Sequence, residues 1–183
     1  MLKVNEIFYS LQGEGRNAGL PAAFIRLSGC DRACSWCDTK DHVFGVDLEE
    51  ERIVHAVLEY PTRCAVLTGG EPTVQPIDTL FMTLKAAGFW IAIETNGDNL
   101  LTLPFDWITV SPKAPFFTQR TGDELKLVYL NEDVERYIDE NPNFAHYYLQ
   151  PCSGRNIPET VAYVKNHPRW KLSLQWQKQI FIK

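Results

Sequence analysis

The chain has 183 residues, of which 45% are hydrophobic and 22% charged. This composition excludes disordered, collagen-like and coiled-coil chains, and the length predicts one domain over residues 1–183. With 18 basic and 23 acidic side chains the net charge is -5, which argues against nucleic acid as a partner. No apolar run approaches the roughly 20 residues that cross a bilayer, and MLKVNEIFYS lacks a basic region followed by a long apolar one. We therefore expect a cytoplasmic protein without a membrane partner.

Short apolar stretches alternate with stretches of helical period, a pattern typical of crossover units that build a largely parallel sheet. The predicted strands are residues 22–28, 64–67, 90–95, 107–110, 124–129, 146–149 and 171–174. The predicted helices are residues 48–59, 77–87, 132–140 and 158–166. At roughly 30 residues per strand-helix unit, the chain has room for about six units. The expected fold is α/β, a partial, open (β/α) barrel of about six parallel strands.

Local signals refine the helix predictions. Asp47 and Glu50 stand at plausible N-cap and N3 positions of the first helix. The second helix stops at Gly88, the residue type that accepts a left-handed conformation after a helix. The connections at 97–106 and 114–123 are too short or too rich in proline for a helix, so we expect fewer helices than strands.

Four polar motifs each come directly after a predicted strand. They are TGGEP at 68–72, ETNG at 94–97, SPK at 111–113 and QPCS at 150–153. In parallel α/β folds the carboxyl ends of the strands form the ligand-binding mouth. The four motifs are therefore expected to meet at one rim.

Three cysteines, Cys30, Cys34 and Cys37, form a C-x3-C-x2-C loop after the first predicted strand. Three thiolates can bind three corners of a cubane 4Fe-4S cluster and leave the fourth iron for an exogenous chelator. The alternative is a non-catalytic zinc-binding interaction module, with His42 or Cys64 as the fourth ligand. The chain offers no second C-x2-C pair for such a site.

The cysteine loop and the TGGEP turn resemble the motifs that define the radical S-adenosylmethionine (SAM) superfamily. The segments FYSLQGEG at 8–15, FIRL at 24–27, CDT at 37–39 and LSLQ at 172–175 are similar to those of 7-carboxy-7-deazaguanine synthases. This resemblance implies a carbon-nitrogen lyase that contracts the ring of 6-carboxy-5,6,7,8-tetrahydropterin to give 7-carboxy-7-deazaguanine and ammonia. The product would serve queuosine and other 7-deazapurines, and the cofactors rather than a side chain would carry the chemistry.

The resemblance also implies cofactor-binding residues. Cys30, Cys34 and Cys37 would hold the 4Fe-4S cluster, and Thr39 would be the protein ligand of Mg²⁺. The SAM pocket would contain Trp36, Asp38, Gly70, Ser111, Pro112, Lys113, Gln150, Pro151, Cys152 and Ser153.

The residues implied for pterin binding are Leu11, Gln12, Gly13, Glu14, Arg26, Thr68, Glu94 and Gln177. Gln12 and Glu14 suit the amide and amino edge of a pterin. Arg26 lies in an apolar strand and needs an anionic partner, which is either the substrate carboxylate or, internally, Glu14 or Glu94. Gln177 stands where many relatives carry histidine, so its expected role is recognition rather than proton transfer.

Two further expectations concern partners and competing functions. The resemblance implies a flavodoxin-like or ferredoxin-like electron donor and a homodimer. The competing enzyme is a radical SAM activase that installs a glycyl radical on a protein partner. Lys178 is interpreted as a solvated side chain, and Cys64 and Cys152 as buried or turn residues.

Overall fold

The structure, a computed structural model, describes residues 1–39 and 43–183. Within these residues nine strands form one open sheet, in the order β3-β1-β2-β4-β5-β6-β7-β8-β9. The strands are β1 (Leu2–Leu11), β2 (Pro21–Leu27), β3 (Val46–Leu48), β4 (Cys64–Gly69), β5 (Trp90–Thr95), β6 (Trp107–Val110), β7 (Gly122–Tyr129), β8 (Phe144–Pro151) and β9 (Lys171–Leu172).

Strand β2 and the strands from β4 to β9 run parallel to one another, whereas β1 pairs antiparallel with both β2 and β3. The predicted open and mostly parallel sheet is confirmed, with seven parallel strands in the described residues. Strands β1 and β3 have no counterpart among the predicted strands. The last strand is shorter than predicted and ends at Leu172.

Five α-helices accompany the sheet in the described part of the chain, which confirms that helices are fewer than strands. They are α1 (Glu50–Leu58), α2 (Asp78–Ala86), α3 (Glu135–Asp139), α4 (Ile157–Asn166) and α5 (Trp176–Gln179). Helix α5 was not predicted. Gly88 follows α2 with φ of +80°, as expected for the residue after a helix C-cap.

The predicted cap of the first helix is wrong. Asp47 and Leu48 belong to β3, where they pair with the first residues of β1. The N-cap is Glu49, whose side chain makes no capping hydrogen bond, and the helix begins at Glu50. Sheet pairing has therefore taken the residues that the local pattern assigned to the helix.

The two faces of the sheet have different roles, because residues two apart on a strand share a face. Helices α1 and α2 cover one face over a core of fully buried side chains such as Ile25, Leu67 and Ile93. The other face carries a smaller apolar cluster, which includes Phe24 and Val66, near the middle of the strands. Polar side chains occupy that face toward the carboxyl ends of the strands and line a cavity there. No helix among the described residues is long and apolar enough to cross a membrane.

Candidate active site

A cavity of about 360 Å³ opens at the carboxyl ends of the parallel strands. It is lined by residues 68–71, 94–96, 111, 113 and 150–153, which represent all four strand-end motifs. The prediction that these motifs share one rim is confirmed. A cavity of this size suits small molecules rather than a protein surface.

The loop after β2 places Cys30, Cys34 and Cys37 on the wall of this cavity. All three are half-buried free thiols. The Cys37 N–H donates to the Cys34 carbonyl at 3.1 Å, which closes a tight turn between these two cysteines. Burial raises the pKa of the Cys30 and Cys34 thiols, so a bound metal would have to displace their protons.

Two polar contacts fix the cysteine loop to the segment after β5. The Arg32 guanidinium donates to Asp98 through Nε at 2.5 Å and Nη2 at 2.8 Å, a paired geometry that restricts orientation as well as distance. Asn96 Nδ2 donates to Asp31 Oδ1 at 2.9 Å. These contacts hold the cysteine loop in a defined position relative to the end of β5.

The donor set fits an iron-sulfur cluster better than zinc. Three thiols on one loop beside an open cavity leave room for a cluster with one exchangeable corner. Cys64 is buried at the start of β4, at the opposite end of that strand from the cavity. The alternative in which Cys64 is the fourth zinc ligand is therefore wrong. His42 lies outside the described residues. In residues 1–39 and 43–183 no group of three His, Cys, Asp or Glu is arranged to hold a single metal ion.

The Gly-Gly turn after β4 passes directly against the cysteine loop. Gly69 has φ of +148°, a conformation that favours glycine. A Cβ on Gly70 would lie 2.0 Å from the Gly29 carbonyl oxygen, and the Glu71 N–H donates to the same oxygen at 2.8 Å. Because no side chain fits there, both glycines are required by the close packing of this turn against the backbone of residues 27–29.

The buried carboxylate of Glu71 joins the ends of β4 and β5. It accepts hydrogen bonds from the Thr73 N–H at 3.1 Å and hydroxyl at 2.6 Å. It also accepts from the Thr95 hydroxyl at 2.7 Å and the Asn96 N–H at 2.6 Å. Glu71 is thus a structural acceptor that holds two strand-end motifs together.

Nine of the ten residues predicted for the SAM pocket line the cavity, and Pro112 is buried outside its lining. Lys113 Nζ donates to the carbonyl and hydroxyl of Ser111 at 2.6 and 2.7 Å and lies 5.8 Å from the centre of the Trp36 ring. Burial lowers the pKa of Lys113. A cation, a hydroxyl and an indole are therefore presented side by side on this wall.

The QPCS motif turns sharply after β8. Its Cys152 N–H donates to Asn156 Oδ1 at 2.8 Å, and Ser153 takes the left-handed conformation with φ of +49°. Such a conformation is uncommon outside glycine and is held here by the surrounding turn. The motif consequently presents backbone groups as well as side chains to the cavity.

Asp38 is tied to the C-terminal segment. Its Oδ2 accepts from Lys178 Nζ at 2.6 Å and from Gln175 Nε2 at 2.8 Å. Lys178, interpreted from the sequence as a solvated side chain, is partly exposed and also forms this ion pair. Thr39, the residue implied for Mg²⁺, is half-buried and lines the cavity next to Asp38.

A charged group built around Lys126 also lines the cavity. Its ammonium lies 2.8 Å from Glu14 Oε2 and 2.8 Å from Glu94 Oε2. Gln12 Nε2 donates to the other oxygen of Glu94 at 3.3 Å. These three predicted substrate residues are thus brought together by a lysine that the sequence analysis did not single out.

The pKa values of this group follow from burial opposed by charge. Burial alone would raise the pKa of Glu14, but Lys126 and two amide donors lower it to about 2. For Glu94 burial prevails and its pKa is raised. The pKa of Lys126 is raised because three carboxylates outweigh its burial. Burial raises the pKa of Glu124, on the same strand as Lys126, to about 7.

The remaining predicted pterin residues also line the cavity, namely Leu11, Gly13, Arg26, Thr68 and Gln177. Arg26 Nε donates to Glu6 Oε1 at 2.9 Å, from the position directly opposite on β1. The predicted internal partners, Glu14 and Glu94, are therefore wrong. Glu14 and Glu94 pair with Lys126 instead.

Gln177, in helix α5, lines the cavity next to Glu14. Its Nε2 donates to Glu14 Oε1 at 3.0 Å, and Gln175 Nε2 donates to the same oxygen at 3.0 Å. The Gln177 Oε1 atom is buried and has no hydrogen-bond partner in the described residues. This free acceptor sits where a Cβ of Gly13 would be, at 1.7 Å.

The contributors to the cavity region that were missed include Glu6, Lys126 and Gln175. Lys126 had a usable signal, because a lysine between Leu125 and Leu127 in an apolar strand needs a buried anionic partner. Glu6, the partner of Arg26, had no such signal in the sequence, because strand β1 itself was not predicted.

Comparison with known proteins agrees with this geometry. A family model described as the Radical SAM superfamily matches residues 24–117. The 7-carboxy-7-deazaguanine synthase of Bacteroides thetaiotaomicron is 46% identical, covering 100% of both chains. That of Neisseria meningitidis serogroup B is 38% identical, covering 96% of this chain and 92% of the relative. The crystal structure of QueE from Escherichia coli superposes with a TM-score of 0.76 at 28% identity, covering 95% of this chain and 93% of that one. The chain belongs to the 7-carboxy-7-deazaguanine synthase family within the radical SAM superfamily.

Proposed function

We propose that this protein converts 6-carboxy-5,6,7,8-tetrahydropterin to 7-carboxy-7-deazaguanine with release of ammonia, with residues 1–183 acting as one radical SAM domain. The observation that carries the proposal is a single cavity lined both by three thiols and by Glu14, Glu94 and Lys126. SAM, a sulfonium that is cleaved by reduction, and the pterin, a polar heterocycle, could therefore bind next to each other in this cavity. The activase and zinc-module alternatives are not favoured for a chain of this family.

Cys30, Cys34 and Cys37 would hold the 4Fe-4S cluster. When bound, the cluster and SAM supply a 5′-deoxyadenosyl radical that removes and later returns a substrate hydrogen atom. The chain's own part is to place ligands and exclude water. The backbone of the Gly69–Gly70 turn lines the cavity, where its carbonyl oxygens would accept hydrogen bonds from the amino group of SAM.

Other cavity residues would fix the rest of SAM. Ser111 offers a hydroxyl suited to ribose oxygens, and Lys113 offers an ammonium suited to a carboxylate. Trp36 lies beside Lys113 and closes the same wall. Asp38 and residues 150–153 complete the pocket that we assign to this ligand.

The pterin would lie against the part of the cavity that is lined by Glu14, Glu94 and Lys126. Glu14 and Glu94 are carboxylate acceptors for its amide and amino donors, and Gln12 can both donate and accept. Arg26 would pair with the substrate carboxylate through its planar guanidinium, in exchange for or alongside Glu6. Thr39 would bind Mg²⁺ together with that carboxylate and water. Leu11, Gly13, Thr68 and Gln177 complete the surface.

We also propose a homodimer that takes electrons from a flavodoxin-like or ferredoxin-like protein in the cytoplasm. The radical SAM family supports a one-electron donor, because the cluster must be reduced before each cleavage. Sedimentation analysis of the reconstituted protein would distinguish the dimer from a monomer.

The decisive assay is anaerobic turnover. Reconstituted protein is incubated with SAM, a chemical reductant, Mg²⁺ and 6-carboxy-5,6,7,8-tetrahydropterin, and the deazaguanine is measured by mass spectrometry. We expect product from the wild type and from Cys64→Ala, which removes a thiol remote from the cavity. Cys34→Ala is expected to abolish turnover. Full turnover by Cys34→Ala, or no product from the wild type, would contradict the proposal.

A further inference from the structure

Lys126 is the charged residue of the cavity whose partners are most completely defined. It lies on β7 with its side chain 5% exposed, between the core residues Leu125 and Leu127. Its ammonium nevertheless reaches the cavity, where it contacts Glu14 and Glu94 at 2.8 Å each. A buried ammonium is costly unless it is paired, so this placement requires both carboxylates to be close and oriented.

The two carboxylates come from separate parts of the fold. Glu14 follows β1, whereas Glu94 is in β5. Their oxygens that face away from Lys126 accept hydrogen bonds from neutral amides, which are Gln175 and Gln177 for Glu14 and Gln12 for Glu94. The amide donors also favour the ionised form of Glu14, but for each of the two acids the largest influence in that direction is the Lys126 cation between them.

The electrostatic surroundings make that cation necessary. The charged groups that act on Lys126 are Glu14 from the loop after β1, Glu94 from β5 and Glu124 from β7. Lys113, which follows β6, is close enough to repel Lys126. Three acids thus surround one lysine, and without it Glu14 and Glu94 would compete for a proton near neutral pH. A protonated carboxyl donates where a pterin N–H requires an acceptor.

The geometry points to Lys126 as a positioning residue that keeps Glu14 and Glu94 oriented as paired acceptors for the pterin. This inference rests on the proposed function. Lys126 acts through the two carboxylates, so its removal should weaken pterin binding much more than SAM binding. It should also introduce a pH dependence that a purely structural lysine would not produce.

The test uses steady-state kinetics of the reconstituted holoenzyme. For Lys126→Met we expect the pterin KM to rise at least about tenfold near neutral pH, because two hydrogen bonds to charged groups lose their donor. The SAM KM should stay unchanged. From about pH 6 to about pH 9, kcat/KM for the pterin should recover in the variant as the carboxylates ionise. Lys126→Arg, which retains the cation, should keep the wild-type pH profile.

Lys85→Met is the matched control, because Lys85 pairs with Asp106 away from the cavity. It should retain wild-type kinetics. Wild-type pterin KM and pH profile in Lys126→Met would overturn the inference, whereas absence of product in every sample, wild type included, would instead contradict the proposed function.

If Lys126→Met does not fold, Lys126→Met/Glu94→Gln is compared with Glu94→Gln. We then expect the double variant to have the higher pterin KM, and equal values would overturn the inference.

Discussion

Asp38 and Lys178 form a 2.6 Å ion pair that connects the residue after Cys37 to the C-terminal segment, residues 175–183. The same segment also contacts the loop after β1, where the Trp176 N–H donates to the Gly13 carbonyl at 3.0 Å. The C-terminal segment therefore bridges the cysteine loop and the loop that carries Glu14.

Breaking this pair should loosen the segment with little effect on global stability. Both side chains are more than a third exposed, so Lys178→Met should change the free energy of unfolding by less than about 1 kcal/mol. Amide hydrogen exchange of residues 175–183 should nevertheless become faster, because local opening loses one of its restraints. Lys165→Met on helix α4 serves as the control. Unchanged exchange in Lys178→Met would contradict the bridging role.

Gly13 is required by the packing of Gln177. A Cβ at position 13 would lie 1.7 Å from Gln177 Oε1, so Gly13→Ala should displace that side chain from Glu14. We expect a pterin KM raised by about fivefold or more, since one hydrogen bond to a charged group is lost. The double variant Gly13→Ala/Gln177→Ala should be no worse than Gln177→Ala alone, because the truncated side chain removes the clash. A double variant clearly worse than Gln177→Ala would place the defect elsewhere.

Glu71 should contribute strongly to stability. Its carboxylate accepts four hydrogen bonds while 1% exposed, and Glu71→Gln replaces an acceptor oxygen by a donor facing other donors. We expect a loss of about 2 kcal/mol in the free energy of unfolding, measured by urea denaturation. Glu51→Gln, on the exposed side of α1, should change it little. Equal effects of the two substitutions would refute this role for Glu71.

The pH dependence of stability should report Glu124. Its pKa rises from an ordinary 4.5 to about 7 on folding, so the folded chain binds more protons than the unfolded one between these values. The contribution of Glu124 to the free energy of unfolding is fully present below about pH 4.5 and is lost as the pH rises through about 7. Glu124→Gln should remove that loss, so that its stability relative to the wild type increases by about 3 kcal/mol between about pH 4.5 and about pH 8.

Urea denaturation across that range provides the measurement. The Arg16 N–H donates to Glu124 Oε2 at 2.7 Å, and the side-chain oxygen of the substituted glutamine can accept the same bond, so the local contact is retained. Glu132→Gln, at an exposed position, is the control. Parallel pH profiles for wild type and Glu124→Gln would show that Glu124 does not govern this dependence.

The strands that sequence analysis placed best are those with a continuous apolar or aromatic pattern and clear punctuation. Strands β5 and β6 have the predicted bounds, Trp90–Thr95 and Trp107–Val110. Strand β1 was missed because LKVNEIFYSL mixes polar and apolar residues, as expected for a strand that pairs near an edge of the sheet and contributes Glu6 to a charged pair. Strand β3 has three residues and depends on its pairing with β1.

Motifs placed the site well, whereas individual side-chain partners required the structure. Order along the chain is enough to bring strand-end motifs to one rim, because parallel strands share a direction. Which charged side chains pair with each other depends on the register between neighbouring strands and on segments that are distant in the sequence. Arg26 pairs with Glu6 across an unpredicted strand, and Glu14 and Glu94 meet at Lys126 from three separate elements.

We expect Cys30, Cys34 and Cys37 to hold a cluster with one iron free for SAM. This arrangement can be tested by Mössbauer spectroscopy of protein reconstituted with ⁵⁷Fe, recorded with and without SAM. We predict that SAM changes the signal of one iron among four, because three thiolates leave one site open. A spectrum with four equivalent protein-bound irons that SAM does not alter would contradict it.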